Sequence, residues 1–157
     1  MAGINPEQFQ QLLGQLFAAI NNHEPAALAK INALLEKIPE EPNLLHLAGL
    51  ASADQNQLSA AIDYLLRSLS RQSEQPEVHN NLANVYAKQG NNLLAEKHYR
   101  QALQLNPDFQ DALKNLGLLL IPVSPEAAVV ELDRAIAQNP KDIGALTGLG
   151  DAHKALE

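Results

Sequence analysis

The chain has 157 residues, 46% of them hydrophobic and only 4% aromatic, with no cysteine, no tryptophan and one methionine. That length suits one domain with a sizeable core, and a core supplied mainly by Ala and Leu points to closely packed helices. A formal charge of −7 with no basic run argues against nucleic acid, which needs clustered Lys and Arg, and the missing cysteines exclude disulfides and thiolate chemistry.

The N-terminal stretch MAGINPEQFQ lacks the basic and apolar regions of a secretory signal. Asn5 reads as a helix N-cap with Pro6 at the first helical position. From there the chain repeats itself. Gly14, Gly49, Ala83, Gly117 and Gly150 recur at spacings of 35, 34, 34 and 33 residues. Ala27, Ala61, Ala95 and Ala128 form a second series, each followed four residues later by a large side chain: Ile31, Leu65, Tyr99 and Leu132. Leu35, Leu69, Leu103 and Ile136 form a third, and Pro39, Pro107 and Pro140 close three of the units. Gly or Ala on one helix and Ala on the next let two helices approach, and large residues fill the groove between them. Proline past the second helix ends it. The longest apolar run, Leu116 to Val123, is too short to span a bilayer and contains Gly117 and Pro122.

With these residues in place, the chain resembles the tetratricopeptide repeat (TPR) family. The fullest copy is PEVHNNLANVYAKQGNNLLAEKHYRQALQLNPDF, residues 76–109, in which Leu82, Ala83, Tyr86, Gly90, Ala95, Tyr99, Ala102 and Pro107 match the family pattern. The resemblance implies an all-α fold: a right-handed α-solenoid of four helix-turn-helix pairs plus one unpaired C-terminal helix, as a single domain over residues 1–157. The repeats are expected at about 6–41, 42–75, 76–109 and 110–142, with a half repeat at 143–156. Two inner turns depart from the pattern. NNHEP adds a residue before the second helix of repeat one, and IPVSP replaces the turn of repeat four, where Ser124 is expected to cap and Pro125 to start the next helix.

In the resembled fold the first helix of each pair lines a concave groove. Asn80, Asn84 and Lys88 fall at i, i+4 and i+8, one stripe along a helix, and are expected to face solvent. Glu77 and Asn81 join them, repeat four adds Asp111, Lys114 and Asn115, repeat two adds Asn43 and His46, and repeat one adds Gln11 and Gln15. Asn supplies a donor and an acceptor, which suits the alternating groups of an extended backbone. Some family members clamp the C-terminal carboxylates of Hsp70 and Hsp90. Here Asn80 stands where that clamp needs Lys, and Thr147 and Asp151 occupy its basic positions, so the clamp is not expected.

No catalytic or metal-binding set emerges. The histidines lack ligand spacing, and His79 occupies a helix-packing position. GLGD at 148–151 follows no strand, so it does not read as a phosphate loop. Tyr86 and Tyr99 fall at packing positions. The expectation is a noncatalytic protein-interaction module that takes a peptide or partner helix in its groove, with no cofactor, no metal, no nucleic acid and no membrane, and with the cytoplasm as default compartment. Two alternatives stand beside it. One is a TPR region of a larger enzyme, of the bacterial sulfotransferase or glycosyltransferase kind, presenting a protein substrate. The other is a self-assembling scaffold, a homodimer formed through Leu146 and Leu149 of the uncovered last helix.

Overall fold

The computed structural model describes residues 5–157, and among these the chain is all-α, with nine helices and no strand. The leader reading of MAGINPEQFQ falls partly on residues 1–4, outside the described residues. Among the described residues no helix is long and apolar enough to cross a membrane. The helices group into two compact units, the first ending at Ser73 and the second spanning Glu74–Glu157.

The first unit holds α1 (Pro6–Asn21), α2 (Ala27–Leu35), α3 (Pro42–Asp54) and α4 (Leu58–Arg71). Asn5 caps α1 as expected, in a reciprocal arrangement with Gln8: the Gln8 N–H donates to Asn5 Oδ1 at 2.7 Å and the Asn5 N–H donates to Gln8 Oε1 at 3.2 Å. Glu41 does the same for α3, its Oε2 accepting from the Leu44 N–H at 2.6 Å. Leu16, Ile20, Ile31, Leu44, Leu45 and Leu47 form the centre of the core. Helices α3 and α4 meet at Gly49, where an added Cβ would lie 2.6 Å from Leu65 Cγ. Repeat one does not repeat this contact. Gly14 was expected to sit against the second helix, yet nothing lies within 4 Å of a Cβ placed there. The longer NNHEP turn, with His23 in the left-handed region at φ 53°, and a second helix of only nine residues set α2 away from Gly14.

Side chains also stitch the first unit together. His23 Nδ1 donates to Asp54 Oδ1 at 2.6 Å, and the Tyr64 hydroxyl donates to Asn32 Oδ1 at 3.1 Å. Arg67 donates to the Pro39 carbonyl at 3.2 Å, and Arg71 Nε to Glu40 Oε2 at 2.7 Å. The Arg71 hydrogen bond, aided by Arg67, holds the Glu40 carboxyl below its ordinary pKa against the opposing pull of burial.

The second unit holds α5 (Pro76–Lys88), α6 (Asn92–Leu105), α7 (Gln110–Leu120), α8 (Pro125–Gln138) and α9 (Ile143–Ala155). Ala83, Ala95, Tyr99, Leu113, Leu116 and Leu132 anchor its core. The close approach of repeat two recurs, with a Cβ on Gly117 falling 2.6 Å from Leu132 Cγ. The IPVSP turn therefore leaves the pairing of α7 with α8 intact. Its chemistry differs from expectation in one respect. The Ser124 side chain makes no capping bond, because its backbone (φ −156°, ψ 76°) departs from the usual cap conformation. The turn is closed instead by the Ser124 N–H donating to the Leu120 carbonyl at 2.8 Å. Pro125 does open α8.

Candidate functional site

The groove residues of the second unit come from two first helices, α5 and α7. Helix α5 places Asn80, Asn84 and Lys88 on successive turns, and α7 places Asp111, Lys114 and Asn115. Asn115 Nδ2 reaches across from α7, donating to Asn84 Oδ1 at 3.1 Å and to Asn80 Oδ1 at 3.3 Å. The Tyr99 hydroxyl, from α6, donates to the same Asn84 oxygen at 2.6 Å. Three helices are thus joined through side-chain amides and one phenol.

This corrects the expectation that Asn80 faces solvent. It is 5% exposed. Its stripe along α5 turns toward α7 at that level, and the Asn115 amide covers it. Asn84 and Lys88 are exposed as expected, while Asn81 and Asn115 are half-buried. The bonding uses the Asn84 oxygen and the Asn115 nitrogen. Among the described residues, Asn84 Nδ2 and Asn115 Oδ1 have no hydrogen-bond partner, so this face presents a donor beside an acceptor.

Lys114 is engaged within the unit. Its ammonium lies 3.2 Å from Asp142 Oδ2 and 3.4 Å from Asp111 Oδ1. Partial burial works to lower its pKa, but the Asp142 hydrogen bond and the Asp111 charge outweigh that and hold it above the ordinary lysine value. Asp142 is the hub of this corner. It caps α9 by accepting from the Ala145 N–H at 3.0 Å and also accepts from Gln110 Nε2 at 2.8 Å. The Ala145 bond chiefly, and then Lys114, hold its carboxyl below the usual pKa although burial acts the other way.

Behind the amides lies a stack of rings. His98 sits between His79, with ring centroids 5.3 Å apart, and Tyr86, at 5.6 Å, and the two imidazole Nδ1 atoms are 3.1 Å apart. Burial first, then the nearby His79 and Lys97 charges, lower the His98 pKa to about 4. Burial likewise pushes the Tyr99 hydroxyl up to about 12, so it remains a donor. His79 thus packs between the helices of its repeat, as its position implied.

The remaining expected groove residues belong to the first unit. Asn43 is exposed on α3 and donates from Nδ2 to Glu41 Oε1 at 3.0 Å, and His46 is half-buried on the same helix. Sequence reasoning placed Tyr99 in the core but missed its bond to Asn84. It also missed Asp142, for which an Asp directly before the helical Ile143 was the available cap signal.

Residues 76–109 match the family model described as tetratricopeptide repeat. A comparison with curated proteins found no match. Solved structures do match. A tetratricopeptide repeat protein from Parabacteroides merdae has a TM-score of 0.79 at 23% identity, covering 94% of this chain and 60% of that one. MamA gives 0.77 at 18% identity, over 98% of this chain and 86% of that one. The first TPR of Spaghetti, bound to the HSP90 peptide SRMEEVD, gives 0.71 at 22% identity, over 73% of this chain and 92% of that one. At these identities the likeness establishes the fold.

Proposed function

The chain is a tetratricopeptide-repeat protein, and we propose that it is a noncatalytic interaction module that binds an extended peptide along the first helices of its second unit. The observation that carries this reading is the donor–acceptor pair of Asn84 Nδ2 and Asn115 Oδ1, held in place by the bonds their other amide atoms make. A peptide unit offers a C=O and an N–H, which that pair matches, and amides already fixed by the fold lose little entropy on binding. The exposed Lys88 ammonium, one turn beyond Asn84 on α5, favours an acidic group on the ligand next to that contact. Lys114 is neutralised by Asp111 and Asp142, so it helps to position α9 rather than to attract an anion. The Spaghetti domain, similar in fold, is seen with an acidic peptide bound, which supports a peptide as the ligand class.

The test is a peptide-display selection on the purified chain, followed by affinity measurements on the selected peptides. Asn84→Asp keeps an oxygen for Tyr99 and Asn115 while removing the outward donor, and Lys88→Glu reverses the exposed charge. Each is expected to weaken binding about tenfold or more, or about 1.4 kcal/mol. Arg100→Glu, on the exposed side of α6, is expected to leave it unchanged. Peptides that lose affinity only with Arg100→Glu would overturn the assignment.

A further inference from the structure

Helix α9 carries the same packing register as the other first helices, but one of its faces has no helix against it. In repeat two, Leu45 and Gly49 are the residues that meet α4; in repeat four, Leu113 and Gly117 meet α8. Leu45 and Leu113 are each 0% exposed, and a Cβ on either glycine would lie 2.6 Å from a leucine of the second helix. Leu146 and Gly150 stand in that register on α9, at the same spacing of four. Leu146 is 45% exposed, Ile143 one turn earlier is 77% exposed, and nothing lies within 4 Å of a Cβ on Gly150. The opposite face of α9 is covered, with Ala145 and Ala152 buried in the core and a Cβ on Gly148 falling 2.5 Å from Leu118 Cδ2.

The occupant of such a face is visible three times within the chain. Helix α4 presents Ala61, Leu65 and Ser68, and α8 presents Ala128, Leu132 and Ala135, each 0% exposed. Helix α6 keeps the same order, with Ala95, Tyr99 and Ala102. The pattern is small, large, small at i, i+4 and i+7. The large residue enters the glycine notch, and the small ones let the backbones approach.

The geometry points to a docking surface on α9, formed by Ile143, Leu146 and the Gly150 notch, for an amphipathic helix of a partner protein that carries this small–large–small pattern. A second folded copy of the chain is a poor candidate. Its own helices of this pattern, α4, α6 and α8, already have those residues buried against α3, α5 and α7. The surface is separate from the amide face on α5 and α7 and does not depend on it.

The test uses a fluorescein-labelled peptide of the α8 sequence, residues 124–139, stapled between the outward positions 130 and 134 because so short a helix is marginal alone. Saturable binding to the full chain is expected. It should weaken about tenfold or more when the chain carries Gly150→Leu, which fills the notch, or Leu146→Glu. Leu132→Glu in the peptide should abolish it, and Lys88→Glu in the chain should not alter it. Both chain substitutions fall on open surface, and circular dichroism establishes that the variants are folded. Absence of binding by the folded chain, or binding indifferent to Gly150→Leu, would overturn the assignment. Concentration-dependent self-association lost in Gly150→Leu would overturn the choice of occupant and give the face to a second copy.

Discussion

The Tyr99 hydroxyl donates to Asn84 Oδ1 at 2.6 Å, so a core residue of α6 fixes the rotamer of an exposed residue of α5. The consequence is an asymmetry between two substitutions. Tyr99→Phe removes a hydroxyl and leaves Asn84 its bond from Asn115, which should cost about 1 kcal/mol. Asn84→Ala leaves the buried hydroxyl without its acceptor and should cost about 1–3 kcal/mol. Urea unfolding of both single variants and the double variant measures the coupling, and strict additivity would show that the bond does not contribute.

Acid should weaken the second unit through His98. Its folded pKa of about 4 lies below the ordinary 6.5, chiefly because the ring is buried. Across that interval the unfolded chain binds the proton and the folded chain does not. Stability from this residue is therefore full above about 6.5 and lost progressively as pH falls toward about 4. The loss is on the order of 2 kcal/mol once solvent screening is allowed for. His98→Phe should flatten the pH dependence of urea unfolding within that window. An unchanged slope in the variant would assign the effect to other groups.

Glycines of the same register should respond to alanine with opposite signs. Gly117→Ala places a Cβ against Leu132, and overpacking of this kind costs about 1–3 kcal/mol. Gly150→Ala meets open space inside a helix and should stabilise by about 0.5–1 kcal/mol. Thermal unfolding of the two variants decides the point, and a shift of the same sign in both would contradict it.

Asp142 performs two tasks that substitution can separate. Asn at this position retains a cap for α9 but loses the charge facing Lys114, whereas Ala loses both. The melting temperature should fall in the order wild type, Asp142→Asn, Asp142→Ala. Because the folded carboxyl titrates below its ordinary 3.8, its contribution is full above that value and lost as pH falls through the lower one. Equal melting temperatures for the two variants would mean that the cap contributes nothing.

Local signals in the sequence located the helices well. Asn5 with Pro6, Pro42, Pro76 and Pro125 each mark a helix start found in the structure, and the glycine and alanine series marks the close approaches at Gly49 and Gly117. Other features depended on how helices sit against one another. Gly14 shares the register of Gly49, but the length of the following turn decides whether a helix arrives over it. Asn80 and Asn84 share one stripe, and only the position of α7 decides which of them is covered. The reach of Arg67 to the Pro39 carbonyl, and of Arg134 to the Pro107 carbonyl at 2.8 Å, joins residues 28 and 27 positions apart through side chains that show no periodic signal. Ser124 illustrates the reverse case, a residue type suited to capping on a backbone that prevents it.

The most direct test of peptide binding along α5 and α7 is a titration of the isotopically labelled chain with a selected peptide, followed by side-chain amide NMR signals. The account predicts that the Asn84 and Asn115 side-chain signals shift together and saturate with the peptide, while the outward residues of α6 and α8 do not respond. Saturable shifts confined to α6, α8 or α9, with the Asn84 and Asn115 signals unmoved, would contradict it.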